Sequence, residues 1–157
     1  MTHPDSHANA FKLSLFTGSW VGHGQIFANA WSPAATCEGQ WQFAFDRSGH
    51  NLIHDYHETR SDGFVFDGHG VFNLDASSKE VIWFWFDSYG FPPLNPARGH
   101  WDDEKLMLIK QTERGIGKST FKFSHNLFSY VTEVQLKGES EFAQVMQGEF
   151  KKIRNEY

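Results

Sequence analysis

The chain has 157 residues, of which 17% are aromatic and 21% charged, and its formal net charge at pH 7 is −5. This length suits one domain over residues 1–157, and 16 Phe and 6 Trp supply large side chains for a core or for the wall of a cavity. The acidic balance argues against a nucleic-acid partner, because proteins that bind a phosphate backbone present a basic stripe.

Two features indicate where the protein resides. The single cysteine, Cys37, excludes an internal disulfide and fits a reducing compartment. Residues 1–10 lack the apolar segment of a secretory signal, and no window approaches the ~20 apolar residues of a membrane span. The sequence therefore predicts a cytoplasmic protein without a membrane partner, in which residues 1–10 form a flexible tail.

The first predicted element is a short helix within residues 5–17. Its apolar side chains, Phe11, Leu15 and Phe16, are suited to closing one end of a barrel. The segment Gly18-Ser19-Trp20 follows directly and opens the first strand. Beyond it the sequence shows no sustained helical period.

Apolar and polar residues then alternate with a period of two, interrupted by turn residues, which is typical of antiparallel strands. Ten strands are predicted, at residues 19–28, 36–45, 52–60, 64–74, 81–87, 97–101, 106–112, 118–124, 128–137 and 142–153. Nearly every connection is as short as a hairpin, which favours an all-β, antiparallel up-and-down barrel. The longest irregular segment, residues 88–96, contains three prolines and is predicted to lie at the mouth.

The fifth strand is apolar on both faces, which indicates that something covers the outside of the barrel there. The alternating residues are Val81, Trp83 and Trp85 on one face and Ile82, Phe84 and Phe86 on the other. A homodimer formed through the second of these faces is one hypothesis.

Three segments carry a resemblance to a known family. Gly18-Ser19-Trp20, Asp67-Gly68-His69-Gly70 and Trp85-Phe86-Asp87-Ser88 follow one another in this order, the last directly before the proline-containing loop. In this order of segments the chain resembles, over about its whole length, a bacterial lipocalin-like (calycin) family that is a domain of unknown function. It is more distantly similar to nitrobindin-like and fatty-acid-binding-protein-like barrels. The resemblance implies a lipocalin-like fold and no particular activity.

The same resemblance implies roles for particular residues. In lipocalins a tryptophan at the closed end is covered by a basic side chain from the last strand, a cation–π contact worth roughly 0.5–2 kcal/mol. By this resemblance Trp20 and Arg154 form the structural pair. Nitrobindin-like barrels bind haem through a histidine near the C-terminal strands, whereas the last histidine here is His125. No cofactor is therefore predicted, and haem remains the alternative that this resemblance raises.

The third strand places His54, Tyr56, Glu58 and Arg60 on one face, because they are spaced by two residues. If that face lines the lumen, these groups can orient the polar end of a ligand or exchange protons with it. If it faces solvent, they form cross-strand ion pairs. The opposite face, which is scarcely more apolar, consists of Ile53, Asp55, His57 and Thr59. The pattern leaves both interpretations open.

The predicted ligand is a small hydrophobic or aromatic molecule, because a closed barrel of about ten strands is too wide for side chains to fill. The candidate ligand-binding residues are Trp41, Phe43, His54, Tyr56, Glu58, Arg60, Phe66, Trp83, Trp85, His100, Phe123 and His125. The chain contains nine histidines, but their spacing matches no zinc signature and no metal is predicted.

The alternative is a small-molecule enzyme of the isomerase or lyase type on the same barrel. Its acid–base groups would come from the third strand, with His100 or His125 as a further group. The sequence contains neither a Gly-x-Ser-x-Gly elbow nor a phosphate-binding glycine fingerprint ahead of a helix. It assigns no catalytic residue.

Overall fold

The computed structural model describes residues 12–153. They form ten antiparallel strands that close into one barrel, in which each strand pairs with its neighbours in the chain and β1 also pairs with β10. The strands are β1 (Gly18–Ile26), β2 (Ala35–Phe45), β3 (Asn51–Arg60), β4 (Val65–Leu74), β5 (Val81–Asp87), β6 (Ala97–Asp102), β7 (Lys105–Thr112), β8 (Gly115–Ser124), β9 (Leu127–Leu136) and β10 (Ala143–Lys152). The predicted all-β barrel is confirmed, and each predicted strand matches one observed strand to within a few residues.

The predicted N-terminal helix is reduced, within the described residues, to little more than a 3-10 turn at Ser14–Phe16. Phe11 and the predicted flexible tail at residues 1–10 lie outside the described residues. No helix in the described part of the chain is long and apolar enough to cross a membrane.

One end of the barrel is closed by Phe16, which is completely buried together with Leu13. The aromatic rings around Phe16, with centroids 4.7–6.1 Å away, are those of Phe43, Phe72, Trp101, Phe121, Phe123 and Phe128. Each such ring buries a large apolar area, so this end is a filled core.

Trp20 belongs to the same closed end. Its indole Nε1 donates a hydrogen bond to the carbonyl of Phe16 over 2.7 Å, which anchors the turn beneath the barrel. The cation near the indole face is Lys152, whose Nζ lies 5.8 Å from the ring centroid. The partner expected from the lipocalin resemblance, Arg154, lies outside the described residues.

The barrel wall is weakest between β5 and β6. Only Val81–Trp83 pair with Ala97–Gly99, whereas β5 pairs with β4 along its whole length. Continuing this register would place Phe84 opposite Pro96, which has no N–H to donate to a ladder. The second half of β5 therefore has no strand partner on the side of β6. The loop at residues 88–96 connects the two strands there.

Candidate ligand-binding cavity

The third strand turns its polar face into the lumen. His54, Tyr56, Glu58 and Arg60 are all less than one-tenth exposed, whereas the residues between them are exposed. Tyr56 lies opposite the buried Trp41 of β2, and side chains of directly opposed residues share a face of the sheet. The solvent-facing interpretation of this strand is therefore excluded by the structure.

Above the closed end lies a cavity of about 240 Å³. The aromatic side chains that line it are Trp41, Tyr56, Phe66, Trp83, Trp85, Tyr89 and Tyr130. The Trp41 ring centroid lies 5.8 Å from that of Trp85 and 5.5 Å from that of Tyr130, so the walls present several flat faces. Such walls suit a planar ligand, because offset and edge-on ring contacts are favourable.

Two glycines of β4 create the space that these indoles occupy. A Cβ atom at Gly68 would overlap the ring of Trp85, and one at Gly70 would overlap His54 and crowd Nε1 of Trp83. The segment Gly68-His69-Gly70 therefore acts as a flat support for the tryptophans of β5. No phosphate-binding role is needed to explain these glycines.

A chain of polar groups runs along the cavity wall toward its mouth. The Tyr56 hydroxyl donates to Oε1 of Glu58 over 2.6 Å, and Nε of Arg60 donates to Oε2 over 2.7 Å. Nη1 of Arg60 also donates to the Ser32 hydroxyl over 2.5 Å. The buried carboxylate of Glu58 is thereby compensated, as a buried charge must be.

The environment keeps the two other ionisable groups beside Glu58 protonated. Burial, together with the neighbouring Glu58, raises the pKa of Tyr56 well above its usual value. The same two causes raise the pKa of the Cys37 thiol to about 12. Cys37 is therefore a buried, unreactive thiol, since the thiolate is the nucleophilic form.

His54 is neutral and hydrogen-bonded through both ring nitrogens. Nε2 accepts a hydrogen bond from the indole N–H of Trp83 over 2.9 Å, while Nδ1 lies 3.2 Å from the carbonyl oxygen of Leu52. This pairing requires the tautomer protonated at Nδ1. Burial lowers the pKa of His54 to about 3, so the ring stays uncharged.

The structure brings seven of the twelve candidate ligand-binding residues to the cavity. Those seven are Trp41, Tyr56, Glu58, Arg60, Phe66, Trp83 and Trp85. His54 lies buried behind Trp83, while Phe43 and Phe123 pack around Phe16 in the closed end.

His100 and His125 are the two candidates that the structure places outside the lumen. Both are exposed, because His100 alternates with the buried Ala97 and Gly99 of β6, and His125 occupies the turn between β8 and β9. Neither histidine lines the cavity, His100 because of its strand parity and His125 because of its place in the turn.

Sequence reasoning missed several polar residues of the cavity. Asp87, Tyr89, Lys110, Ser119, Tyr130 and Thr132 all line it. A polar residue in an alternating strand is normally assigned to the solvent face, whereas these lie on inner strand faces, apart from Tyr89 in the loop after β5. Strand parity could have identified Lys110 as an inner residue. It continues the inward series of Leu106 and Leu108 in β7, both of which are fully buried.

Asp87 connects the cavity wall to the loop that follows β5. Its Oδ2 accepts from Nε1 of Trp85 over 2.9 Å, and its Oδ1 accepts from the backbone N–H of Tyr89 over 3.0 Å. The Tyr89 ring then packs on Phe66, with centroids 5.1 Å apart, and on Phe64 at 6.1 Å. Tyr89 therefore covers one side of the mouth.

A larger concavity, about 750 Å³, lies on the outer face of β1 to β5. It contains two exposed pairs, His57 with Asp67 and His69 with Asp55, each with Nδ1 and Oδ1 2.6 Å apart. Exposed pairs of this kind contribute little stability. We take the smaller cavity as the candidate site, because it lies inside the barrel and is bordered by buried aromatic rings.

The chain matches no family model, and no curated protein matches it in sequence. Solved structures do match it. Rv2717c from M. tuberculosis has a TM-score of 0.71 at 14% identity, covering 98% of this chain and 100% of its own. The S-type phycobiliprotein lyase CPES from Guillardia theta has a TM-score of 0.70 at 9% identity, covering 95% and 94%.

A third structure, EF1p2_mFAP2b bound to DFHBI, has a TM-score of 0.51 at 15% identity, covering 92% of this chain and 98% of its own. The structural matches show a shared fold, and identities this low show no more than that. Membership of the particular bacterial family suggested by the sequence stays a prediction.

Proposed function

We propose that this protein binds a small, flat hydrophobic or aromatic molecule inside the barrel. The observation that carries the proposal is the cavity of about 240 Å³ between the three indoles of Trp41, Trp83 and Trp85. Ligand pockets commonly measure ~300–1,000 Å³, and this one lies just below that range, so it suits a small ligand. Its walls combine aromatic faces with a few fixed polar groups, the usual composition of such sites.

The solved structures with this fold support the proposal by analogy. One is a phycobiliprotein lyase and another was solved bound to the small molecule DFHBI. Function on a shared fold depends on the site itself, so the analogy adds weight only because a lined cavity is present here.

An enzymatic role is the second candidate, and the geometry favours it less. Of the acid–base groups considered from the sequence, the histidines at 100 and 125 are exposed and His54 is neutral and doubly hydrogen-bonded. Tyr56, Glu58 and Arg60 remain at the cavity, but they are bonded to one another. Binding uses these groups as they stand, whereas catalysis would require one of them to be released.

Gly117 of β8 offers a direct test. It lines the cavity, and a Cβ atom there would meet only the backbone oxygen of Lys110, at 4.0 Å. Gly117→Val should therefore fill part of the cavity and abolish ligand binding. Stability should stay level or rise by about 0.5–1 kcal/mol, because valine suits a strand better than glycine. Native mass spectrometry of protein purified from its own host measures the first effect, and denaturant unfolding the second.

Thr120→Val is the matched control, since it introduces valine on the outer face of the same strand. Thr120 alternates in β8 with the buried Phe121 and Phe123. We expect its ligand occupancy to equal that of the wild type. Wild-type protein without any bound small molecule, or a Gly117→Val variant with undiminished occupancy, would contradict binding in this cavity.

We also propose that two copies associate through the outer face of β5, and that the protein is cytoplasmic. Phe84 and Phe86 are 39% and 49% exposed on that face, and Phe84 lies in register with Val71 of β4. Exposed aromatic side chains grouped in this way favour an interface. The buried free thiol of Cys37 is compatible with a reducing compartment.

A further inference from the structure

Lys110 is the cation of the cavity that has no partner. It follows the fully buried Leu106 and Leu108 on the inner face of β7 and lines the cavity. In the described part of the chain its side chain makes no salt bridge and no hydrogen bond. Across the ladder it faces Gly117, where an added Cβ atom would meet only the backbone oxygen of Lys110, at 4.0 Å, so space is open on this side of the cavity.

The other cation of the cavity is fully engaged. Arg60 donates to Glu58 and Ser32, and its guanidinium lies 4.8 Å from the ring centroid of Phe64 and 5.6 Å from that of Phe66. Its positive charge is compensated by Glu58 at 2.7 Å. A ligand would therefore have to break this network to use Arg60, whereas Lys110 needs no such rearrangement.

Two hydroxyl groups line the same cavity as Lys110. They belong to Ser119 on β8 and Thr132 on β9, which lie directly opposite each other in the β8–β9 ladder. A hydroxyl can donate one hydrogen bond, and an ammonium group can donate three. This wall of the mouth is consequently rich in donors. The carboxylates of Glu58 and Asp87 belong to β3 and β5, on other strands of the barrel.

We propose that the ligand is an aromatic carboxylic acid, whose ring lies among the indoles and whose carboxylate binds Lys110. This inference rests on the proposed ligand-binding function and adds the charge of the ligand to it. An anion at this position gains a charge-assisted hydrogen bond without displacing any existing pair. The net charge of the chain is −5, so attraction of an anion must come from a local group and not from the molecule as a whole.

Three probes that share one ring system test the charge preference. Naphthalene-2-carboxylate, naphthalene-2-carboxamide and naphthalen-2-ylmethylammonium are titrated into the protein by calorimetry. We expect the carboxylate to bind about tenfold or more tightly than the carboxamide, the size of one charge-assisted hydrogen bond. Lys110→Met should remove that preference, while Lys110→Arg should retain it.

Lys122→Met is the matched control, because Lys122 is exposed on β8 and the change removes the same charge from the outer surface. It should keep the full preference for the carboxylate. Equal affinity for carboxylate and carboxamide, a preference that survives in Lys110→Met, or tighter binding of the ammonium probe would each overturn the assignment to Lys110. Those outcomes leave cavity binding intact, whereas failure of all three probes to bind contradicts the proposed function as well.

Discussion

At the scale of single residues, His54 shows how a polar group is accommodated among aromatic rings. Its ring lies 4.7 Å from that of Phe72 and 4.9 Å from that of Phe43, centroid to centroid, and both nitrogens are hydrogen-bonded. A buried polar group is tolerated only with such partners. In exchange, the ring cannot accept a second proton without losing the bond from Trp83.

This arrangement predicts a pH dependence of stability. Burial lowers the pKa of His54 to about 3 in the folded protein, against 6.5 for the free side chain. Below pH 6.5 the unfolded chain therefore takes up a proton that the folded chain does not bind. The free energy of unfolding should fall as the pH drops from 6.5 toward 3, by up to about 1.4 kcal/mol per pH unit. Denaturant unfolding at a series of pH values measures it.

His54→Gln should flatten this dependence, because glutamine has no proton to gain and can still accept from Trp83. The exposed His100 supplies the comparison, and His100→Gln should retain the dependence of the wild type. If His54→Gln loses stability with acid as steeply as the wild type does, burial of a neutral His54 is not the cause.

At the scale of elements, the second half of β5 and the loop at residues 88–96 form the least paired side of the cavity. Beyond Trp83 the strand pairs with β4 alone. The loop is held by Tyr89 against Phe64 and Phe66. A segment with few ladder bonds opens more easily than one paired on both sides. The loop therefore offers a route for ligand entry.

Tyr89→Ala should accelerate both ligand dissociation and hydrogen exchange of the β5 amides that follow Trp83, several-fold each. The variant loses the ring contacts that hold the loop. It keeps the hydrogen bond from the backbone N–H of residue 89 to the carboxylate of Asp87. Stopped-flow release of naphthalene-2-carboxamide and hydrogen-exchange mass spectrometry measure the two rates.

Phe91→Ala is the comparison within the same loop. Phe91 is exposed and packs under Arg114, with 4.1 Å from the guanidinium carbon to the ring centroid, away from the Phe64 and Phe66 rings. Phe91→Ala should change the rate of ligand release little. Release from Tyr89→Ala at the wild-type rate would assign ligand entry to another part of the barrel.

At the scale of the whole molecule, the outer surface of β3 to β5 carries a group of exposed apolar side chains, on which the proposed dimer rests. Ile53, Val71 and Phe84 lie side by side across the three strands, and Phe86 follows on the same face of β5. We predict a dimer by light scattering after size exclusion, and a monomer for Phe84→Lys. Ligand binding should persist in that monomer, because Phe84 points away from the lumen.

Leu127→Lys tests whether loss of the dimer is specific to the outer face of β5. Leu127 is 39% exposed, as is Phe84, but lies at the start of β9, and the variant should remain a dimer. A monomeric wild type would refute the interface outright.

The strands were predictable because alternation is a local property of the chain. Trp41 and Phe43 alternate with glutamine and alanine in β2, and the structure buries the two aromatic residues and exposes the residues between them. The position of Phe16 at the closed end was also predictable from a local feature, the apolar patch directly before the first strand. The bulge in β10 between Gln144 and Met146 had no comparable signal.

The cavity required the tertiary structure. In β3 both faces carry polar and charged residues, so the pattern alone could not decide which face is buried. The pairing of Tyr56 with the buried Trp41 shows that the face of Tyr56 lines the lumen. Lys110 and Thr132 are polar residues on inner faces, which a hydrophobicity pattern assigns to solvent. The sequence by itself determined the barrel, since strand periodicity and turn spacing are encoded locally. Which polar groups meet inside was decided only by closure of the barrel, because Glu58, Lys110 and Thr132 belong to non-adjacent strands that closure arranges around one lumen.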